Sequence, residues 1–231
     1  MLPEAEYYPA VKSFISNKFN CIATGCTKGT LDMGLVDVIG AYECGGLYGN
    51  NAEVVCVEVK LTTASFGKSL GQILGYSIYG ERCYLAIAFH DGETFNNEEI
   101  AIANHLGVGL IRIPTDKAGN PLEDETEIVI TSKLHEPIPA QKNYILHAIG
   151  IVHCFSCGLY VQATESQEIN RKTAGPALYN KTSTKRRYLC KKCYSTVLSE
   201  REREKLKNVK EGGRKAAMTR KARKGTTGAA Q

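Results

Sequence analysis

Nowhere in the 231 residues does an apolar run approach the roughly 18 residues that a bilayer-crossing helix needs, so no membrane partner is expected. The opening residues carry Glu4 and Glu6 and have neither the basic start nor the apolar stretch of a secretory signal. The expected location is the cytoplasm, in association with DNA or the nucleoid. Glycines at Gly45, Gly46 and Gly49 lack the lysine and following hydroxyl residue of a phosphate-binding loop, which excludes nucleotide binding of that type. Positive charge is also scarce over most of the chain. Residues 1–170 hold 10 Lys and Arg against 20 Asp and Glu, and so acidic a segment repels nucleic acid unless another part supplies the attraction. Residues 171–231 reverse the balance, with 19 basic residues against 4 acidic ones, leaving +5 overall. A polyanionic partner is expected.

The periodicity predicts an α/β protein. An amphipathic helix is expected over residues 3–19, with Tyr7, Val11, Phe14, Ile15 and Phe19 near helical spacing. Apolar runs at 33–40, 53–60 and 82–89 have strand length and β-branched content, and the last two are apolar on both faces, as in strands covered from both sides. Further helices are expected from Ser65 through Tyr79 and near Asn96 to Leu106, with short strands at 109–113 and 127–132. Residues 114–127, with Pro114, Gly119-Asn120-Pro121 and four acids from Glu123 to Glu127, read as a surface connection. Pro137-Ile138-Pro139 is expected to mark a domain boundary, followed by a linking helix of about 141–150. Three regions follow: 1–136, 137–204 with the linking helix, and 205–231.

Nine cysteines include two Cys-x-x-Cys pairs, Cys154/Cys157 and Cys190/Cys193, separated by 32 residues. Four thiolates spaced in this way suit tetrahedral Zn2+ in a closed, structural site. A disulfide scaffold is the minor reading, and the scattered cysteines read as ordinary core residues. His153 is a candidate substitute ligand, though a solvated or supporting histidine fits better. The knuckle, hairpin and helix order of this region resembles a treble-clef or zinc-ribbon finger, with the helix over Tyr194 to Asn208. Such fingers bind DNA, RNA or protein, and the choice stays open. Beyond it, Lys207, Lys210, Arg214, Lys215, Arg220, Lys221, Arg223 and Lys224 lie among glycine, alanine and threonine. This stretch cannot bury enough apolar surface to fold alone. It reads either as a solvated segment or as an arm contacting phosphates without reading sequence.

The most informative residues end the 53–60 run. Glu58 and Lys60 flank Val59, and in an extended strand they share one face. With Asp37 on the preceding strand they form a polar cluster that a purely structural core has little reason to build. Two carboxylates and a lysine suit a hard cation and a phosphodiester.

Asp37 and Glu58-Val59-Lys60 resemble the signature of the PD-(D/E)XK nuclease superfamily, with Val36 where the name-giving proline would stand. Gln72 and Tyr76 are similar to the Gln-x-x-x-Tyr motif of its RecB-type branch and are neighbours on one helix face. Glu4, in Glu4-Ala5-Glu6-Tyr7-Tyr8-Pro9, looks like the acid of the opening helix, with Glu6 as the alternative. The resemblance covers residues 1 to about 115. It implies a restriction-endonuclease-like mixed sheet flanked by helices, followed here by the zinc domain and the basic tail. It also implies a deoxyribonuclease in which Asp37, Glu58 and the Val59 carbonyl hold Mg2+ or Mn2+ and Lys60 orients the water, with Glu4, Gln72 and Tyr76 in support. Endo- or exonuclease action, DNA or RNA, and a homodimer are left open.

Each residue also has a plainer reading. Asp37 can cap a turn, Glu58 and Lys60 can form a surface ion pair, and Gln72 and Tyr76 can be ordinary polar and core positions. Asp32 rivals Asp37. His90-Asp91 reads as a turn or a pocket rim, and Cys21, Cys26 and Cys44 as a weak candidate for a further metal site. A non-cleaving DNA-binding or regulatory protein and a zinc-finger adaptor for protein partners are the competing functions.

Overall fold

The computed structural model describes residues 2–26, 36–44, 51–90, 92–169, 187–197, 199–200, 204 and 208, with backbone alone at Cys44 and Asn51. Asp32, the glycine turn at 45–49, Asp91 and the Cys44 side chain are therefore outside the described residues, as are the eight basic positions from Lys207 to Lys224. The chain divides into two compact units. The first covers residues up to His153 together with Gly158–Thr164, and the second takes Cys154–Cys157 and the described residues from Glu165 onward.

The first unit is α/β, a six-stranded mixed sheet flanked by helices. Its strands are β1 (Ala23–Gly25), β2 (Val38–Cys44), β3 (Asn51–Lys60), β4 (Arg82–Phe89), β5 (Gly109–Pro114) and β6 (Glu127–Ile130), and they neighbour one another in sequence order. Strands β3, β4 and β5 are parallel, while β1, β2 and β6 run antiparallel to their neighbours. The helices α2 (Phe66–Gly75) and α3 (Asn97–Leu106) make the two parallel crossovers. All of β4 except Arg82 is buried, which is why its sequence shows no alternation.

The period-2 geometry of β3 separates two apolar clusters. Val55, Val57 and Val59 pack with Val11 and Ile15 of α1 (Tyr8–Phe19), and Val54 and Cys56 pack with Leu70 and Ile73 of α2. The two helices therefore cover opposite faces of the sheet. α1 approaches β2 closely at Gly40, where a Cβ would come within 2.7 Å of Cys21 Sγ and 3.1 Å of Ile15 Cδ1. Glycine here lets the helix sit down on the strand. Asn20 ends the helix in the left-handed conformation at φ 52°, which asparagine tolerates well.

Several features depart from the sequence reading. The strand expected over 33–40 is β2 at Val38–Cys44, so Asp37 stands one residue before the strand instead of within it. β1, only three residues long, is too short to show a pattern. The helix expected over 3–19 begins as a 3-10 turn at Glu4–Tyr7 before α1. The segment expected as an inter-domain link, α4 (Pro139–Ala148), puts Ile145 and Leu146 into the cluster on the α2 face, and Ile151 of β7 (Ile151–His153) joins them. β7 pairs with β8 (Tyr160–Gln162), so the first unit extends well past residue 136.

The second unit contains an antiparallel pair, β9 (Ser166–Ile169) and β10 (Arg187–Cys190), with helical residues at 191–197 and 199–200. Among the described residues of the chain, no helix is long and apolar enough to cross a membrane.

Candidate functional site

β2 runs antiparallel to β3 with Val38 opposite Val57, and continuing that register by one residue sets Asp37 across from Glu58. Beyond Val57 the edge of β3 has no further β2 partner, and there Asp37 Oδ2 accepts the Val59 N–H at 2.9 Å. Asp37 Oδ1 accepts the Tyr8 hydroxyl at 2.7 Å. The acid thus ties the entry of β2, the end of β3 and the start of α1 into one corner.

Glu58 and Lys60 both project to the α2 face, as their spacing requires. The Glu58 side chain is 1% exposed and Lys60 22%. Glu58 Oε1 meets the Lys60 ammonium at 2.6 Å, and Glu58 Oε2 accepts the Tyr76 hydroxyl at 2.9 Å. Gln72 Nε2 donates to the Tyr76 oxygen at 2.9 Å, as expected of side chains four residues apart on a helix. Lys60 Nζ also donates to the Val59 carbonyl at 3.0 Å and to Glu4 Oε2 at 3.2 Å, so its three protons face Glu58, Glu4 and the backbone. The structure therefore brings Glu4, Asp37, Glu58, Lys60, Gln72 and Tyr76 together at one end of the sheet. Glu6 does not enter the described contacts of this cluster, whereas Glu4 does. Tyr8 belongs to it as well, although the sequence reading passed it over. Its signal was the four-residue spacing from Glu4, which places the two on one helical face, and the Tyr8 hydroxyl lies 3.3 Å from Glu4 Oε1.

Electrostatics make this corner unusual. Three carboxylates face one ammonium among the described residues, in surroundings where an unpaired charge is costly. Burial pushes the Glu58 carboxyl up to about 7, and the Asp37 charge adds to the rise against the lowering influence of Lys60 and Tyr76. Burial alone would lower Lys60, yet Glu58 and Glu4 hold it above its ordinary value. Burial first, and the neighbouring acids second, keep the Tyr8 phenol protonated well beyond its usual range. Tyr76 is raised by burial and by Glu58, with Gln72 opposing. Glu58 thus has a folded-state value above its ordinary 4.5, and its contribution to stability is complete below that value and is lost as pH rises through about 7. Without added divalent cations, the unfolding temperature of the wild type should fall from pH 5 to 7.5 relative to that of Glu58→Gln. Parallel pH profiles for the two proteins would contradict this assignment.

The oxygens of Asp37 and Glu58 with the Val59 carbonyl are a hard donor set of the kind Mg2+ or Mn2+ takes. The excess of carboxylates over cations fits that assignment. The Lys60 ammonium lies against Glu58 and the Val59 carbonyl and supplies part of the compensating charge.

In the second unit, Cys154, Cys157, Cys190 and Cys193 form a group whose sulfurs all lie within 4.8 Å of one another. The Cys157 and Cys190 sulfurs are 3.9 Å apart, close to the edge of about 3.8 Å that a tetrahedron of ~2.3 Å zinc–sulfur bonds requires. The group fits a structural Zn2+. The Cys190 N–H points at Cys154 Sγ at 3.4 Å, and the Phe155 N–H donates to the Tyr188 carbonyl at 2.9 Å, so β10 holds the first knuckle. Burial would raise the Cys154 thiol, but backbone N–H groups of Cys157, Cys190 and Ser156 bring it down to about 7 and favour the thiolate that a metal binds. His153 is not one of the four; its ring lies 5.0 Å from that of Tyr160. Cys56 and Cys83 are buried core residues facing each other across β3 and β4. His90 is exposed beside Thr115, 3.5 Å away.

Compared with known proteins, the chain matches no family, no curated protein and no solved structure.

Proposed function

We propose that this chain is a metal-dependent phosphodiesterase acting on DNA, of the restriction-endonuclease-like kind, with the zinc unit and the basic tail aiding its hold on nucleic acid. The observation that carries the reading is the convergence of Glu4, Asp37, Glu58 and Lys60 with the Gln72–Tyr76 pair at one end of β3. That end is the carboxyl end of the parallel strands, where open α/β sheets place their ligands. A core needs no such concentration of acids there.

In this reading Asp37, Glu58 and the Val59 carbonyl hold Mg2+ or Mn2+, which when bound supplies a water of lowered pKa and neutralises charge growing on the phosphate. Tyr76 fixes one Glu58 oxygen, and Gln72 fixes the Tyr76 hydroxyl, so that the other Glu58 oxygen stays directed toward Lys60 and the strand end. Lys60 places a permanent positive charge beside the reacting phosphate and can orient the attacking water. Glu4 is a second carboxylate partner of that ammonium. The test is digestion of linear, circular, single-stranded and branched DNA with Mg2+ or Mn2+, with Glu58→Gln as control.

A second reading, a DNA-binding or regulatory protein that does not cut, draws on the ion pair between Lys60 and Glu58, which already offsets part of the acid charge. Absence of metal-dependent digestion across the panel, with retention of DNA, would favour it.

Apart from Asn208 the tail lies outside the described residues, and its role rests on charge. Removing residues 205–231 takes away the eight basic residues from Lys207 to Lys224. DNA affinity should fall, and the slope of log affinity against log salt should flatten, because fewer counterions are released on binding. An unaltered slope in a filter-binding titration would remove the tail from the interface.

A further inference from the structure

We propose that Tyr8 is a positioning residue that sets the cation affinity of the acid cluster by holding the Asp37 carboxylate through its phenol. The inference rests on the reading of that cluster as a divalent-cation site. Its basis is the hydrogen bond from Tyr8 to Asp37 Oδ1 at 2.7 Å, shorter than the 3.3 Å contact of the same hydroxyl with Glu4. A phenol has one proton to give, and the shorter contact takes it.

The hydroxyl is delivered by a rigid element. Tyr7, next in the chain, is fully buried, and its own hydroxyl donates to the Gly119 carbonyl at 2.7 Å. Pro9 lies in the first turn of α1, and α1 is seated on β2 at Gly40. Tyr8 therefore has little freedom to follow Asp37 if the acid rotates. Tyr76, at the start of the 3-10 turn Tyr76–Ile78 that follows α2, does the corresponding work for Glu58. Each acid has one oxygen held by a phenol, and the two phenols come from helices on opposite faces of the sheet. Asp37 is then fixed at both oxygens, by Tyr8 and by the Val59 N–H, although the charge of Glu58 nearby favours its moving away. Loss of the Tyr8 proton donor would leave one restraint on a carboxylate that must stay beside another.

Hydrogen-bond partners of metal-binding carboxylates typically affect affinity by about 10- to 100-fold, and that loss is expected for Tyr8→Phe, which keeps the ring. The experiment is a calorimetric titration of Mn2+ into the zinc-loaded full-length wild type, Tyr8→Phe and Asp37→Ala, with the unfolding temperature of each recorded. The proposal expects Tyr8→Phe to bind Mn2+ at least 10-fold more weakly with an unfolding temperature close to wild type. The Mn2+ concentration giving half-maximal cleavage should rise in parallel, with DNA affinity unchanged. Wild-type Mn2+ affinity in Tyr8→Phe, alongside lost binding in Asp37→Ala, would overturn the role of Tyr8 alone. Equal titrations of wild type and Asp37→Ala would overturn the cation site itself and this inference with it.

Discussion

Glu58→Gln is expected to reduce metal-dependent cleavage of DNA by about 1,000-fold or more, while the protein stays folded and retains DNA. A lost charge contact in the transition state worth about 4 kcal/mol corresponds to that factor. Glutamine is the informative replacement because it matches glutamate in size and keeps an oxygen for the Tyr76 hydroxyl. Glu58→Ala would instead open a cavity beside Tyr76 and leave that hydroxyl and Lys60 short of partners. Lys60 retains Glu4 and the Val59 carbonyl in the glutamine variant. Burial already disfavours the Glu58 charge in the folded state, so removing it should not lower the unfolding temperature near neutral pH. Loss of cleavage accompanied by unchanged melting and unchanged DNA retention would isolate the chemistry from the fold. Full activity in this variant would end the phosphodiesterase reading.

Withdrawal of zinc should have the largest structural effect, and it should be confined to the second unit. Buried apolar residues among the described part of that unit are few, chiefly Cys154, Ile169, Leu189 and Cys190, and two of these belong to the four-cysteine group. So small a core does not offset the entropy of ordering the chain, whereas four thiolates on Zn2+ bring about 10–16 kcal/mol of apparent binding energy at neutral pH. One equivalent of zinc per chain is expected by elemental analysis. After chelation, or in Cys190→Ser, limited proteolysis should cut readily in the second unit, in the stretch from Arg187 to Val197, while the sheet of the first unit remains resistant. The metal-free chain resisting protease throughout that stretch would exclude a structural zinc site there.

The two sites differ in how much of them could be read along the chain. The cysteine pairs announce themselves by spacing alone, because a tetrahedral shell filled from two knuckles demands it. Glu58 and Lys60 were placed on one face by the period of a strand, and Gln72 and Tyr76 on one face by the period of a helix. Those rules hold wherever the elements go. The part played by Tyr8 was hidden, since a Tyr-Tyr-Pro sequence at a helix start reads as packing, which Tyr7 indeed performs. The 141–150 segment showed the reverse difficulty. Its helix was legible, but its unit was not, because Ile145 and Leu146 carry no mark of which core they join.

The sequence by itself determined the longer helices and strands of the sheet unit, the opposite charges of residues 1–170 and 171–231 and the four-cysteine group, since each depends on local period, composition or short spacing. Only the tertiary structure decided that Asp37 binds the Val59 backbone across 22 residues, that Lys60 reaches Glu4 across 56, and that phenols from two faces of the sheet hold the two acids. Strand register and helix seating bring such partners together, and both are set by the packing of the whole unit.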